Sequence, residues 1–139
     1  MKYIKTQNTY ICRLEKGDEI CSSLLELMAK EGFASASVSG IGATNDFTVG
    51  IFEPAKRAYD PIHVTGDHEI TALVGNLTTK QGAPYAHLHI TCAGVGGKTI
   101  GGHLVKGTIS LTGEVFVTCC DAQVERAFSD ELGINLMTV

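Results

Sequence analysis

At 139 residues, 44% of them hydrophobic, the chain suits one domain, residues 1–139, of a size that buries about 68–70% of its unfolded surface, so its core needs no covalent or metal staple. A net charge of −4 without any lysine- or arginine-rich run argues against autonomous DNA binding, where affinity comes mainly from basic groups that neutralise phosphates. Five cysteines, Cys12, Cys21, Cys92, Cys119 and Cys120, contain no C-x-x-C pair and support neither a disulfide framework nor a thiolate zinc knuckle; with no signal-like apolar segment after Met1 and no run near the roughly 20 apolar residues of a membrane span, the expectation is a reduced, soluble, cytoplasmic protein without a membrane partner.

In chain order, Tyr3 to Leu14 reads as an opening strand that Gly17 ends. Asp18 is placed to cap a helix carrying Ile20, Leu24, Leu27 and Met28 at helical spacing, and Gly32 stops it. Small residues alternate over Ala34–Ala43, which suits a central strand with close backbone approach; Asn45-Asp46 then predicts a turn into Phe47–Phe52. Glu53 to Pro61 is the main irregular excursion, a candidate lid or oligomer contact. From Ile62 onward the pattern is nearly all β: Ile62–Thr65, a turn at Gly66-Asp67, Glu69–Thr78, a loop through Gly82-Ala83-Pro84, Ala86–Cys92, Thr99–Val105 and Thr108–Thr118. Two closing strands, Val124–Phe128 and Ile134–Met137, flank Ser129-Asp130. Many short Val-, Ile- and Thr-rich runs with a single helix predict an α+β class: a mixed or antiparallel sheet packed with one main α-helix.

The chemistry concentrates in His87-Leu88-His89 and Gly101-Gly102-His103. Strand side chains alternate, so His87 and His89 share one face while Leu88 and Ile90 take the other. The glycine-rich run Ala93–Lys98 reads as a turn. A reversal centred near Val95 or Gly96 sets His103 opposite His87 or His89, on their face in either register; a slip by one residue would destroy the arrangement. Opposed residues have Cβ atoms roughly 4.5–5.5 Å apart, close enough for three imidazoles to reach one ion at about 2.0–2.1 Å. Three histidines leave a zinc ion one open position, the pattern of a catalytic or ligand-binding site. Turnover would also need an acid or base, and Glu53, Asp67, Glu69 and Glu114 are the carboxylates nearest predicted strand ends.

Arg13–Asp18 before the helix, Val38–Ala43 after it, Leu73–Leu77, and the H-x-H and G-G-H pair resemble the PPC domain, conserved between plants and prokaryotes, over nearly the whole chain. The resemblance implies a compact α+β domain that forms a homotrimer, with zinc held by residues matching His87, His89 and His103. It also implies a DNA-associated regulatory role. In plants the domain follows an AT-hook whose Arg-Gly-Arg core enters the minor groove, and no such element precedes Tyr3.

Three functions follow: a DNA-associated regulator that works with DNA or a DNA-associated protein, a metal-dependent enzyme on a small molecule, and a small-ligand sensor using the same site. The three-histidine zinc arrangement of acetolactate decarboxylase, on a reminiscent β-rich fold, makes a lyase or decarboxylase thinkable by analogy.

Overall fold

The computed structural model describes residues 1–139. It is dominated by sheet, with one short helix, so the α+β expectation holds in its broad form. In chain order the strands are β1 (Lys2–Lys5), β2 (Thr9–Glu15), β3 (Ala36–Glu53), β4 (Ala58–Lys80), β5 (Ala83–Gly94), β6 (Thr99–Cys119), β7 (Glu125–Ser129) and β8 (Ile134–Thr138). The helix, α1, spans Ile20–Glu31 between β2 and β3. No helix is long and apolar enough to cross a membrane.

The long strands close on themselves. β3 pairs with β4, β4 with β5, β5 with β6, and β6 again with β3, all antiparallel. Beyond this ring, β2 adds to the second half of β6 and β1 adds to β2. The β7–β8 hairpin joins the edge of β4 through a single parallel pair, Thr79 with Glu125.

Alternation decides which side is core. Leu88, Ile90 and Cys92 of β5 and Leu104, Val115 and Val117 of β6 are buried, together with Ile20, Leu24, Leu27 and Met28 from one stripe of α1. Their neighbours in sequence therefore stand on the outer face, away from the helix. Fully burying each such side chain contributes roughly 1.5–3 kcal/mol, so this face assignment is fixed by many residues at once. Glu31, at the end of α1, accepts hydrogen bonds from the Tyr3 and Tyr10 hydroxyls at 2.7 and 3.0 Å and from Lys5 at 3.0 Å, tying the β1–β2 hairpin to the helix.

Several local expectations are corrected. The opening strand is two, because Thr6 caps a turn back onto Thr9 with hydrogen bonds of 2.8 and 2.9 Å. Glu19, not Asp18, caps α1 by accepting from the Cys21 and Ser22 backbone N–H groups. Asp18 is engaged elsewhere, taking the Glu15 N–H and the N-terminal ammonium, both at 2.8 Å. Asn45-Asp46 does not turn: β3 runs through it with shifts of register, a bulge that bends a strand without reversing it. Gly66-Asp67 likewise lies inside β4, and the runs Thr99–Val105 and Thr108–Thr118 are one continuous strand, β6. The excursion at Glu53–Pro61 shrinks to the turn joining β3 and β4, since Ala58–Pro61 are already paired.

One close approach positions the histidine strand. Gly75 of β4 pairs with Leu88, and a Cβ on it would collide with the His87 carbonyl oxygen and lie 2.9 Å from Leu88 Cα. Gly75→Ala is expected to cost about 1–3 kcal/mol or more, as overpacking of a fixed backbone does, measured by chemical denaturation; wild-type stability in that variant would contradict the packing described.

Candidate metal centre

His87 and His89 stand on the outer face of β5, and His103 on the outer face of β6. The pairing is His89 opposite His103, a reversal centred on Gly96 and closed by the Gly94 N–H to Lys98 carbonyl bond of 2.9 Å. The three rings gather tightly: centroid separations are 5.3 Å for His87–His89, 5.2 Å for His87–His103 and 5.7 Å for His89–His103. One ring nitrogen from each lies within 4.8 Å of the others. The register decides this, because His89 and His103 face each other directly while His87 is one pleat along the same face.

His87 and His103 are half-buried and His89 is exposed. Burial is the main cause that pushes His103 down to about 4, with His87 and His89 beside it adding to the shift. Burial also lowers His87, helped by the Arg126 guanidinium and by His89. Both imidazoles are therefore neutral near pH 7, the form that ligates a metal. His103 Nδ1 is buried with no hydrogen-bond partner. An orphaned buried nitrogen costs about 1–3 kcal/mol, and a cation is the group that a cluster of neutral imidazoles satisfies. The donor set thus fits a divalent metal.

The surroundings come from three other elements. Tyr59 of β4 stacks on His103 at 4.7 Å between centroids and 30° between planes. It reaches that ring across Gly50, which pairs with His103 and whose absent side chain would stand 2.9 Å from Tyr59 Cδ1. A cavity of about 130 Å³ opens beside the histidines, lined by Tyr59, Tyr85, His87, His103, Phe128 and Asn135 among others. Two of those residues belong to the β7–β8 hairpin, whose turn is held by Arg57 donating to the Asp130 carbonyl at 3.0 Å.

Sequence reasoning missed Arg126. It is 5% exposed, on β7, and donates to Thr78 Oγ1 at 2.9 Å, to the Asn135 carbonyl at 3.1 Å and to Asn76 Oδ1 at 2.8 Å. Its Nη2 is 3.5 Å from His87 Nδ1, and its guanidinium lies over the Tyr85 ring at 5.1 Å. A lone arginine inside the alternating run Val124–Phe128 was the available signal.

The four carboxylates singled out as acid or base candidates are elsewhere. Glu53 binds Lys56 at the β3–β4 turn. Asp67 and Glu69 line a different cavity, of about 460 Å³, with His68 and Lys16. Glu114 lies on the outer face with Phe116 and Arg13. None lines the cavity at the histidines.

A sheet-dominated α+β domain whose outer face gathers three histidines defines the class of protein. The chain belongs to the Plants and Prokaryotes Conserved (PCC) domain family, whose family model matches residues 1–121. Among solved structures it is similar to a "putative DNA-binding protein" from Bacteroides thetaiotaomicron, at 31% identity and a TM-score of 0.95 over 99% of this chain and 96% of that one. A second "putative DNA-binding protein", from Ralstonia eutropha, is 29% identical with a TM-score of 0.93 over 99% and 96%. A metal-containing protein from Archaeoglobus fulgidus is 27% identical with a TM-score of 0.88, each chain covered in full (100%). A search of curated proteins gave no match.

Because burial depresses His103, removing the stacked ring is expected to raise its pKa. In chelator-treated protein, an NMR titration should place the His103 midpoint near 4, moving toward the ordinary value of about 6.5 in Tyr59→Ala; a wild-type midpoint at 6.5 would contradict the burial described.

Proposed function

We propose that His87, His89 and His103 hold one divalent cation, zinc by the chemistry of an all-imidazole set, and that the open coordination position receives a small ligand. The observation that carries this reading is the convergence of one ring nitrogen from each histidine within 4.8 Å of the others, together with a buried His103 Nδ1 that has no hydrogen-bond partner. The relative described as metal-containing supports it. A cation held there would supply Lewis acidity toward a ligand oxygen or bound water. Tyr59 and Tyr85 would wall the ligand, and the β7–β8 hairpin would close one side. The cavity lining has no carboxylate, and Tyr59 and Tyr85 are its proton-bearing groups besides the histidines; with no carboxylate base beside the cation, we take binding and signalling as the function in preference to a lyase reaction.

Self-association into a homotrimer belongs to the same reading. Ile11, Phe116 and Val74 are 37%, 47% and 50% exposed. One lateral row links Ile4, Ile11, Phe116, Ser39 and Val74 to His89 and His103. Such an apolar sheet face, continuous with the site, is the kind of surface a second copy covers.

In purified protein, elemental analysis is expected to find one metal per chain, and the solution mass to equal three chains. His89→Ala should lose the metal, and its unfolding stability should lie within about 0.5 kcal/mol of chelator-treated wild-type protein, as for an exposed substitution once the metal's own stabilisation is removed from both. Metal retained by that variant would refute ligation by His89.

A second reading, association with DNA, is favoured by the description of two relatives. In this chain Lys2 and Arg13 share Glu15, Lys5 pairs with Glu31 and Lys56 with Glu53, so these four basic residues stand beside carboxylates, in a chain of net charge −4. Contact with DNA would then run through a partner protein that reads the ligand-bound state. Direct titration with duplex DNA at 50 and 200 mM salt is expected to show no binding that falls steeply with salt; a steep decline would establish a basic footprint and reverse this assignment.

A further inference from the structure

Arg126 is the one cation of the chain that is buried, and it forms no ion pair: its partners are a threonine hydroxyl, an asparagine side chain and a backbone carbonyl. A buried charge without a counter-charge is expensive, several kcal/mol before compensation by hydrogen bonds, so its placement calls for an explanation. It sits directly behind the cavity at the histidines. Three of the residues it touches, Tyr85, His87 and Asn135, line that cavity. No carboxylate lines it, and the nearest acidic neighbour in sequence, Glu125, is turned to Thr79 and the Gly82 N–H. With a divalent cation on the imidazoles the region carries three positive charges and no negative one from the chain.

We infer that the cavity is an anion site and that its ligand is a small carboxylate, seated between the three-histidine centre and the wall backed by Arg126. The inference deepens the reading above and rests on it for the cation's share of the charge. Size sets how much of the ligand is enclosed. About 130 Å³ is the room of roughly four water molecules, and a cavity near 150 Å³ accepts benzene. The part of the ligand that the cavity seats therefore has about four to six non-hydrogen atoms. Recognition is electrostatic more than bidentate, because three of the guanidinium's hydrogen bonds are already spent on the fold. Arg126, buried behind the Tyr85 ring, keeps its charge in a less polar surrounding than the exposed Tyr59 and Phe128 rings at the rim, which strengthens its effect. Charge selectivity would then come from the β7–β8 hairpin, which lies beyond the stretch matched by the family model, residues 1–121.

The test is calorimetric titration of the purified protein with acetate and with acetamide, which has the same shape and no charge, alongside measurement of metal content. Acetate is expected to bind at one site per chain, and acetamide at least about tenfold more weakly. Arg126→Met should weaken acetate by roughly tenfold or more, the effect of removing a charge several ångströms away at an effective dielectric near 20, while bound metal per chain is unchanged. If Arg126→Met fails to fold, Asn135→Asp provides the same test. It is nearly isosteric, sits where Asn135 Oδ1 is buried without a partner, and supplies an internal carboxylate, so acetate affinity should again drop about tenfold or more. Equal binding of acetate and acetamide, no binding of either to metal-replete protein, or acetate binding indifferent to both substitutions would overturn the inference. Protein found without metal would instead count against the histidine reading, and the acetate titration of that same protein would still show whether Arg126 makes an anion site.

Discussion

The register of β5 between β4 and β6 governs everything that follows. With Gly75 opposite Leu88 on one side and His89 opposite His103 on the other, every even residue of β5 from Leu88 to Cys92 enters the core and every odd one leaves it. Moving the strand by one position would bury two imidazoles and expose a leucine and an isoleucine, a change opposed by the burial energy of several side chains at once. The ring of four strands adds a second lock, because β5 cannot slip without breaking both of its ladders. The core thus holds the histidines in place although none of them belongs to it.

That arrangement was legible because it depends on period-two alternation and on one glycine-rich reversal, both local. His87 and His89 share a face by parity alone, and the turn around Gly96 is short enough that only two registers were open for His103. Helix α1 was legible for the same reason, from Ile20, Leu24, Leu27 and Met28 at helical spacing to Gly32 at its end. What failed were inferences from single residues about chain direction. Asn45-Asp46 and Gly66-Asp67 have turn chemistry, yet they fall near each other across β3 and β4, where Asp46 pairs with Thr65 and the ladder shifts by one residue. Two facing strands absorbed both signals as a paired irregularity. The cap of α1 moved from Asp18 to Glu19 because the chain's own N-terminus reached Asp18 first, a contact between residues 17 positions apart that no local pattern contains.

Arg126 marks the limit of sequence reading most clearly. Its neighbours in sequence say strand; its role comes from Thr78, Asn76 and Asn135, brought together by a single parallel pair between β4 and β7. A buried arginine without a carboxylate, beside imidazoles that burial keeps neutral, gives the outer-face cavity a sign as well as a shape. The carboxylates that looked suited to proton transfer lie at other places on the barrel. The outer-face site thus joins three imidazoles to a buried arginine with no carboxylate on the cavity between them, in a family whose relatives are described partly by metal and partly by DNA.

Ligation of a metal by three imidazoles is read most directly from X-ray absorption at the metal's edge in purified protein. A first shell of three nitrogen scatterers at about 2.0–2.1 Å, completed by one light ligand and followed by scattering from the more distant imidazole ring atoms, is the result expected for ligation by three histidines. A sulfur shell near 2.3 Å, pointing to the cysteines, or a metal without imidazole scattering would contradict it.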